Sequence, residues 1–160
     1  MSDMNDNRLE AQGPTREYLT VYIKEQLFGM SIDQVHDVFL IDSMTPVPLS
    51  IPEVAGVLNL RGRIVTAIDM RQRLNLPKTE GEHSTMAVGI EYHGESYGLI
   101  IDNVGEVLRI SDQQIEPNPT NLDPRWRAVS AGVCRLEGNL MVVLDVERTL
   151  DFGQDQSAAA

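Results

Sequence analysis

The sequence predicts an all-β fold with short helices, in which one small β unit is used twice. Short runs rich in β-branched and aromatic residues alternate with turn-prone residues, as in strands joined by tight turns. Glycine lies at the centre of Arg61–Arg63 and of Glu137–Asn139, where a turn between two strands needs it. Two sequence patterns recur in the same order along the chain, which indicates an internal duplication.

The first predicted element is a β-hairpin. Tyr18–Ile23 is rich in β-branched and aromatic residues, and Leu27–Ile32 follows after the turn-prone residues 24–26. The further strand candidates are Val57–Leu60, Ile64–Ile68, Thr85–Glu91, Ser96–Ile101, Gly132–Leu136 and Leu140–Leu144. The predicted helices are one or two turns long and lie near Ile51–Ala55, Met70–Leu74 and Val146–Leu150. Prolines in the intervening segments exclude longer helices there.

Polar segments flank the predicted core. Residues 1–16 contain Gly13-Pro14 and show no sustained periodicity, and residues 153–160 have the same character. We expect both to be flexible, as an N-terminal arm and a C-terminal tail. Residues 17–152 are therefore predicted to form the folded domain, with two subdomains that arise from the duplication.

The internal repeat has consequences for function. The segment Phe28–Val38 recurs as Tyr97–Val107, with glycine, isoleucine, aspartate and valine at the same spacings. The segment Ala55–Leu74 recurs as Ala131–Leu150. A small β unit alone exposes its sheet edges and buries little apolar surface, so we expect two units to pack together and leave a groove. Such a groove is typical of a protein that binds a helix or strand of a partner.

Composition excludes several classes of protein. Thirteen basic and 24 acidic residues give a net charge of −11, so the chain lacks the basic stripe of a nucleic-acid-binding protein. The same charge opposes binding to an anionic membrane surface. No apolar run approaches the roughly 20 residues of a membrane span, and no signal peptide is visible. The lone cysteine, Cys134, excludes an intramolecular disulfide and fits a cytoplasmic protein.

Particular segments also resemble a known family. Val57–Arg71 is similar to the signature of CheW-like domains of bacterial chemotaxis, and so are Phe28–Val35 and Leu144–Glu147. The resemblance covers residues 17–152 and implies two five-stranded SH3-like β-barrels related by a pseudo-twofold axis. The chain departs from the family pattern at Thr66, where proline is common, and at Asp37, where glutamate is frequent.

The resemblance implies a non-enzymatic adaptor that needs no cofactor. Its expected partners are the regulatory domain of a CheA histidine kinase and the cytoplasmic tip of chemoreceptors, in the cytoplasm and without direct membrane insertion or nucleic-acid binding. A receptor-binding variant that does not activate the kinase has the same sequence features and remains an alternative. An enzyme would need a convergent acid, base and nucleophile, and the sequence shows no such set.

Arg61 is the leading candidate for a binding residue. Its counterpart in the second repeat is Glu137, so the fold itself does not demand arginine at this position. Asp37 and its counterpart Glu106 are both acidic, so only the first repeat can pair Asp37 with Arg61. Because a guanidinium group can hold a carboxylate with two hydrogen bonds, we expect this pair to fix the edge of a binding surface. An ordinary surface ion pair is the alternative.

The other site residues follow from the resemblance. It places Val35 at a receptor-facing groove, and it assigns Asn59 and Leu60, next to Arg61, to the receptor- and kinase-binding surface. Val38 lacks this support and is expected in the core.

Four further residues are given structural interpretations. Asp69 and Asp145 are expected to cap the short helices that follow them. Cys134 is expected to be a small buried hydrophobic residue. Trp126 lies between two arginines, as in many binding hot spots, but partly buried packing is the more common role of a single tryptophan.

Overall fold

The computed structural model describes residues 14–48, 51–74, 76 and 86–151. The strands are β1 (Thr15–Ile23), β2 (Gln26–Ser31), β3 (Val35–Leu40), β4 (Val54–Leu60), β5 (Arg63–Asp69), β6 (Met86–Tyr92), β7 (Glu95–Ile101), β8 (Asn103–Ser111), β9 (Ile115–Glu116), β10 (Ser130–Leu136) and β11 (Asn139–Leu144). The α-helices are α1 (Met70–Arg73), α2 (Pro124–Arg127) and α3 (Val146–Thr149), and 3₁₀ turns lie at Ile32–Gln34 and Asp112–Gln114. None of these helices is long and apolar enough to cross a membrane.

The strands form two sheets. One has six strands in the order β8-β1-β2-β11-β10-β9, and the other has five in the order β3-β6-β7-β5-β4. Neighbouring strands are antiparallel except for the parallel pairs β2–β11 and β5–β7. The predicted all-β class with short helices is confirmed. Among the described residues the end strands of a sheet do not pair with each other, so neither sheet closes into a barrel by strand pairing.

Each sheet contains strands from both repeats. The hairpin β1–β2 of the first repeat lies beside β8, β11 and β10 of the second, and the hairpin β6–β7 of the second lies beside β3, β5 and β4 of the first. When each strand is replaced by its counterpart in the other repeat, the order β8-β1-β2-β11-β10 becomes β3-β6-β7-β5-β4, as a pseudo-twofold relation requires. Strand β9 adds a sixth member at one edge. A subdomain is therefore not one continuous repeat, because the two copies exchange strands.

The main hydrophobic core joins the two sheets. It combines fully buried residues of the first sheet, such as Val21 and Phe28, with Ile68 and Leu99 of the second. Two smaller clusters each lie within one sheet. Burial of a large apolar side chain contributes about 1.5–3 kcal/mol to folding, so this shared core holds the two sheets together as one body.

The structure extends and corrects the predicted elements. The predicted strands are confirmed, and β3, β8 and β9 are additional strands that lay outside the prediction. The predicted helix at Ile51–Ala55 is wrong, because β4 begins at Val54 and pairs there with Ile68. Strand β1 begins at Thr15, inside the segment assigned to the arm, because it pairs with Ser111 of β8. The rest of the arm, residues 1–13, and the tail, residues 153–160, lie outside the described residues.

Candidate functional site

The β4–β5 hairpin positions three of the predicted site residues. Its turn places Arg61 at φ +54° and Gly62 at φ +84°, both in the left-handed region. The Gly62 N–H donates a hydrogen bond of 2.8 Å to the Asn59 side-chain oxygen, which braces the turn. Leu60 is half-buried against the smaller cluster of its sheet. The hairpin is therefore anchored on one side and presents the exposed Arg61 side chain to solvent.

Strand β3 positions Val35 and lies at the edge of its sheet. Val35 pairs with Ile90 of β6 and is half-buried against the main core. The strand then alternates, so that its even-numbered residues face outward. Val38 is 41% exposed and Leu40 is 63% exposed, so the prediction of a core position for Val38 is wrong. The reason is the period of two along the strand, which gives Val38 the outward face of an edge strand.

The expected ion pair between Asp37 and Arg61 is absent from the described part of the chain. The Asp37 side chain instead lies inward against Gly89, where its Oδ1 atom is buried without a hydrogen-bond partner. Arg63, two residues beyond Arg61, lines the same pocket. Its Nη1 lies 3.2 Å from the His36 Nε2 atom. The first repeat therefore sets Arg63, rather than Arg61, beside β3.

Arg63 was missed as a site residue, although β5 carries a signal for it. Val65 and Ala67 are buried in the smaller cluster of their sheet and Ile64 is exposed, so the odd-numbered residues in this part of β5 face that cluster. The same alternation extends back to Arg63, which is half-buried. Arg61 lies in the turn, where this alternation no longer applies.

A second feature that sequence reasoning missed is an ion pair at the junction of the two sheets. The Arg71 Nε donates to Asp102 Oδ1 at 2.9 Å, and its Nη2 donates to Asp102 Oδ2. The N–H of Lys24, in the β1–β2 turn of the other sheet, donates to the same Oδ2 at 2.6 Å. Burial acts to raise the pKa of Asp102, but the hydrogen bonds from Arg71 and Lys24 outweigh it and lower that pKa below its ordinary value.

The cap at the start of α1 positions Arg71 for its contact with Asp102. The Asp69 carboxylate accepts hydrogen bonds from the backbone N–H groups of Arg71 and Gln72, which starts α1 directly after β5. In the second repeat Asp145 accepts from the N–H of Arg148 at the start of α3. Both capping predictions are confirmed. Because the cap fixes the first turn of α1, the guanidinium group of Arg71 extends toward the end of β7.

The sequence of this chain matches a known protein family over nearly all of the described residues. The family model of the CheW-like domain matches residues 17–153. The chain belongs to the CheW-like domain family. A chemotaxis protein CheW of Bacillus subtilis is 29% identical over 151 residues, which cover 94% of this chain and 97% of the relative. A chemotaxis protein CheW of Thermotoga maritima is 30% identical over 135 residues, which cover 84% of this chain and 87% of the relative.

The fold agrees with a solved member of the CheW family. The crystal structure of the scaffolding protein TtCheW from Thermoanaerobacter tengcongensis superimposes with a TM-score of 0.73 and 28% sequence identity. The match covers 82% of this chain and 90% of that one. The overall fold of this chain is thus similar to that of a CheW scaffolding protein.

This CheW-like chain exposes apolar side chains at equivalent places of its two sheets. Val38 on β3 and Val107 on β8 occupy equivalent positions of the repeat, and both are exposed. Each lies on a strand at the end of its sheet. Leu40 and Ile64 add to the exposed apolar surface of the five-stranded sheet. We call β3 together with the β4–β5 hairpin the first edge surface, and β8 the second edge surface.

Two residues of the CheW-like chain have structural roles. The Trp126 ring packs edge-to-face on Phe28 at a centroid distance of 5.7 Å, so the packing interpretation of this half-buried tryptophan is confirmed. Cys134 is buried, as predicted, and burial raises the pKa of its thiol. In the described part of the chain, no three histidine, cysteine, aspartate or glutamate side chains are arranged to hold a metal ion.

Proposed function

We propose that this chain is a non-enzymatic cytoplasmic adaptor that couples a CheA-type histidine kinase to chemoreceptors in signalling arrays. The observation that carries the proposal is the pair of edge surfaces, since two related apolar edges suit a protein that holds two partners at once. An edge strand offers unpaired backbone groups, and Val38 and Val107 add apolar contact area there. Family membership supports the same function.

In this proposal the first edge surface binds the receptor or the kinase. The residues assigned to it are Val35, Asp37, Asn59, Leu60 and Arg61. Arg61 supplies an exposed charge on a braced turn, so the backbone of the turn loses little conformational freedom when a partner carboxylate binds. Asp37 acts indirectly, because its half-buried side chain supports the inner face of β3.

Each contact is expected to be weak on its own. Transient signalling interfaces are small, and an array raises their effective affinity because neighbouring contacts act together. A protein with two edge surfaces then serves as a link whose strength depends on both partners being present.

The test is a reconstitution of kinase activity with receptor-containing membranes, CheA and this protein. We expect the kinase to be activated only when all three are present, and we expect Arg61→Glu to abolish activation while the thermal unfolding temperature stays unchanged. The matched control is Glu137→Arg, which reverses charge at the equivalent turn. Normal activation by Arg61→Glu would refute the assignment of Arg61.

One alternative is a receptor-binding variant that does not activate the kinase. A pull-down with the purified regulatory domain of CheA separates the two functions, because only a coupling protein retains that domain. Binding to receptors with no retention of the regulatory domain would establish the alternative and overturn the proposal.

A further inference from the structure

The junction between the two sheets has two related sites, and among the described residues only the first has a cation bonded to its aspartate. At the first site Asp102 binds the guanidinium group of Arg71. The repeat places Asp33 at the position of Asp102 and Glu147 at the position of Arg71. The second site therefore holds two carboxylates where the first holds an ion pair.

The turns at the two sites have the same backbone form. Lys24 has φ +55°, and its counterpart His93 has φ +52°. The Lys24 N–H donates to Asp102 at 2.6 Å, whereas the hydrogen bonds of the described residues include none between His93 and Asp33. Within the described residues the carboxylates of Asp33 and Glu147 form no ion pair. The first site is closed by its own side chains, and the second is left open.

The open site is a cleft of about 540 Å³, which we call the acidic cleft. The carboxylates of Asp33, Glu91, Asp145 and Glu147 line it, and Tyr92 forms part of its wall. Partial burial and the charges of Glu147, Asp151 and Asp145 raise the pKa of the Tyr92 hydroxyl. Four acidic side chains therefore share one cleft at the junction of the sheets.

Among the described residues, Arg16 is the basic residue in the lining of the acidic cleft. Its Nε lies 3.4 Å from the Asp112 Oδ1 atom, so this guanidinium group already has a carboxylate partner. The cleft therefore keeps an excess of negative charge. A cation from outside the chain would neutralise it.

We propose that the acidic cleft receives an arginine side chain of a protein partner, in the place that Arg71 fills at the first site. Arginine fits better than lysine, because its planar group bonds two carboxylate oxygens at once and stacks on aromatic rings such as Tyr92. The first site supplies the model for this contact, since Asp102 there binds a guanidinium group through two bonds. The inference rests on the proposed adaptor function, for which it names the chemistry of one partner contact.

The first test uses a small probe. N-acetyl-L-arginine amide is titrated into the ¹⁵N-labelled protein, with the uncharged N-acetyl-L-citrulline amide as the matched control. We expect the arginine probe alone to shift the backbone NMR signals of Asp33, Tyr92 and Glu147. In the double variant Asp33→Asn, Glu147→Gln we expect these shifts to disappear. Equal shifts with citrulline, or none at these residues, would overturn the inference.

The second test uses protein partners. Dissociation constants for the CheA regulatory domain and for a receptor tip are measured separately with the wild type, with the Asp33→Asn, Glu147→Gln variant and with a control. The control, Glu25→Gln with Asp42→Asn, removes the same charge from exposed residues elsewhere. We expect the cleft variant to weaken one partner about tenfold, as the loss of a charged contact does, and the control to weaken neither.

A third variant fills the acidic cleft from within. Glu147→Arg is expected to pair with Asp33 as Arg71 pairs with Asp102, to keep the thermal unfolding temperature of the wild type, and to weaken the same partner. Unchanged partner affinities in both cleft variants would refute the inference and leave the adaptor function standing. A wild type that binds neither partner would refute the adaptor function. The arginine titration alone would then show whether the acidic cleft binds an arginine side chain.

Discussion

The ion pair between Arg71 and Asp102 is expected to stabilise the junction of the two sheets. The side chains are only 19% and 24% exposed, so water screens the pair less than it screens a surface ion pair. Two hydrogen bonds join the charged groups, and each such bond contributes about 1.5–3 kcal/mol when it is shielded. After the cost of desolvation, we expect a coupling free energy of about 1.5–2 kcal/mol.

The assay is a double-mutant cycle of Arg71→Ala and Asp102→Ala, with the free energy of unfolding from urea titrations. Asp102→Ala is expected to cost more than Arg71→Ala, because it also leaves the Lys24 N–H without its acceptor. The pair between Asp123 and Arg125 is the control, since it is more exposed and lies within one turn of chain. A coupling below about 0.5 kcal/mol would refute the reasoning, because independent sites deviate from additivity by that much.

The same pair predicts a dependence on pH. The pKa of Asp102 is lowered in the folded protein, so the unfolded state takes up its proton at the higher pH. The stabilisation is therefore complete above about pH 5 and declines as the pH falls through the unfolded value of about 3.9 and then the folded value. We expect the stability difference between the wild type and Asp102→Ala to shrink between pH 6 and pH 3. A constant difference over this range would contradict the assignment.

The remaining predictions concern close packing. Gly89→Ala should destabilise the fold by about 1–3 kcal/mol, because a methyl group there meets the carboxylate of Asp37, and the added change Asp37→Ala should relieve most of that loss in urea titrations. Asn59→Ala removes the side-chain oxygen that accepts from the Gly62 N–H, and it should lower the free energy of unfolding by about 1 kcal/mol. Asn59→Asp keeps an acceptor oxygen, so it should bind the partner more tightly than Asn59→Ala does. Trp126→Ala should lower the free energy of unfolding by about 2–3 kcal/mol, because the ring contact with Phe28 is lost. Kinase activation should stay unchanged. Loss of activation in a folded variant would show a binding role for Trp126 instead.

Local features of this fold were predictable from the sequence, and the pairing of distant strands was not. The hairpins followed from alternating residues and glycine turns, and the caps at Asp69 and Asp145 followed from aspartates placed before short helical segments. These signals act within a few residues. The exchange of strands between the repeats depends on which edges meet, and a repeated pattern is equally consistent with two separate units.

The candidate site shows the same division. Arg61 was found because its counterpart has the opposite charge, and the structure does expose it on a turn. Its expected bond to Asp37 was wrong, because the Asp37 side chain lies inward against Gly89 while Arg61 lies in a turn and is exposed. The contact of Asp102 with Arg71 could not be predicted either, because it depends on how residues that are distant in the sequence meet in the fold.

The interleaving of the two repeats has a consequence for how the protein could be divided. A cut in the segment between α1 and β6 would give two fragments, each with strands of both sheets and neither with a whole sheet. Such fragments should stay unfolded alone and regain structure when mixed, like the halves of a split reporter. The same strand order would arise if two copies of an ancestral peptide had formed an intertwined dimer and were later fused end to end.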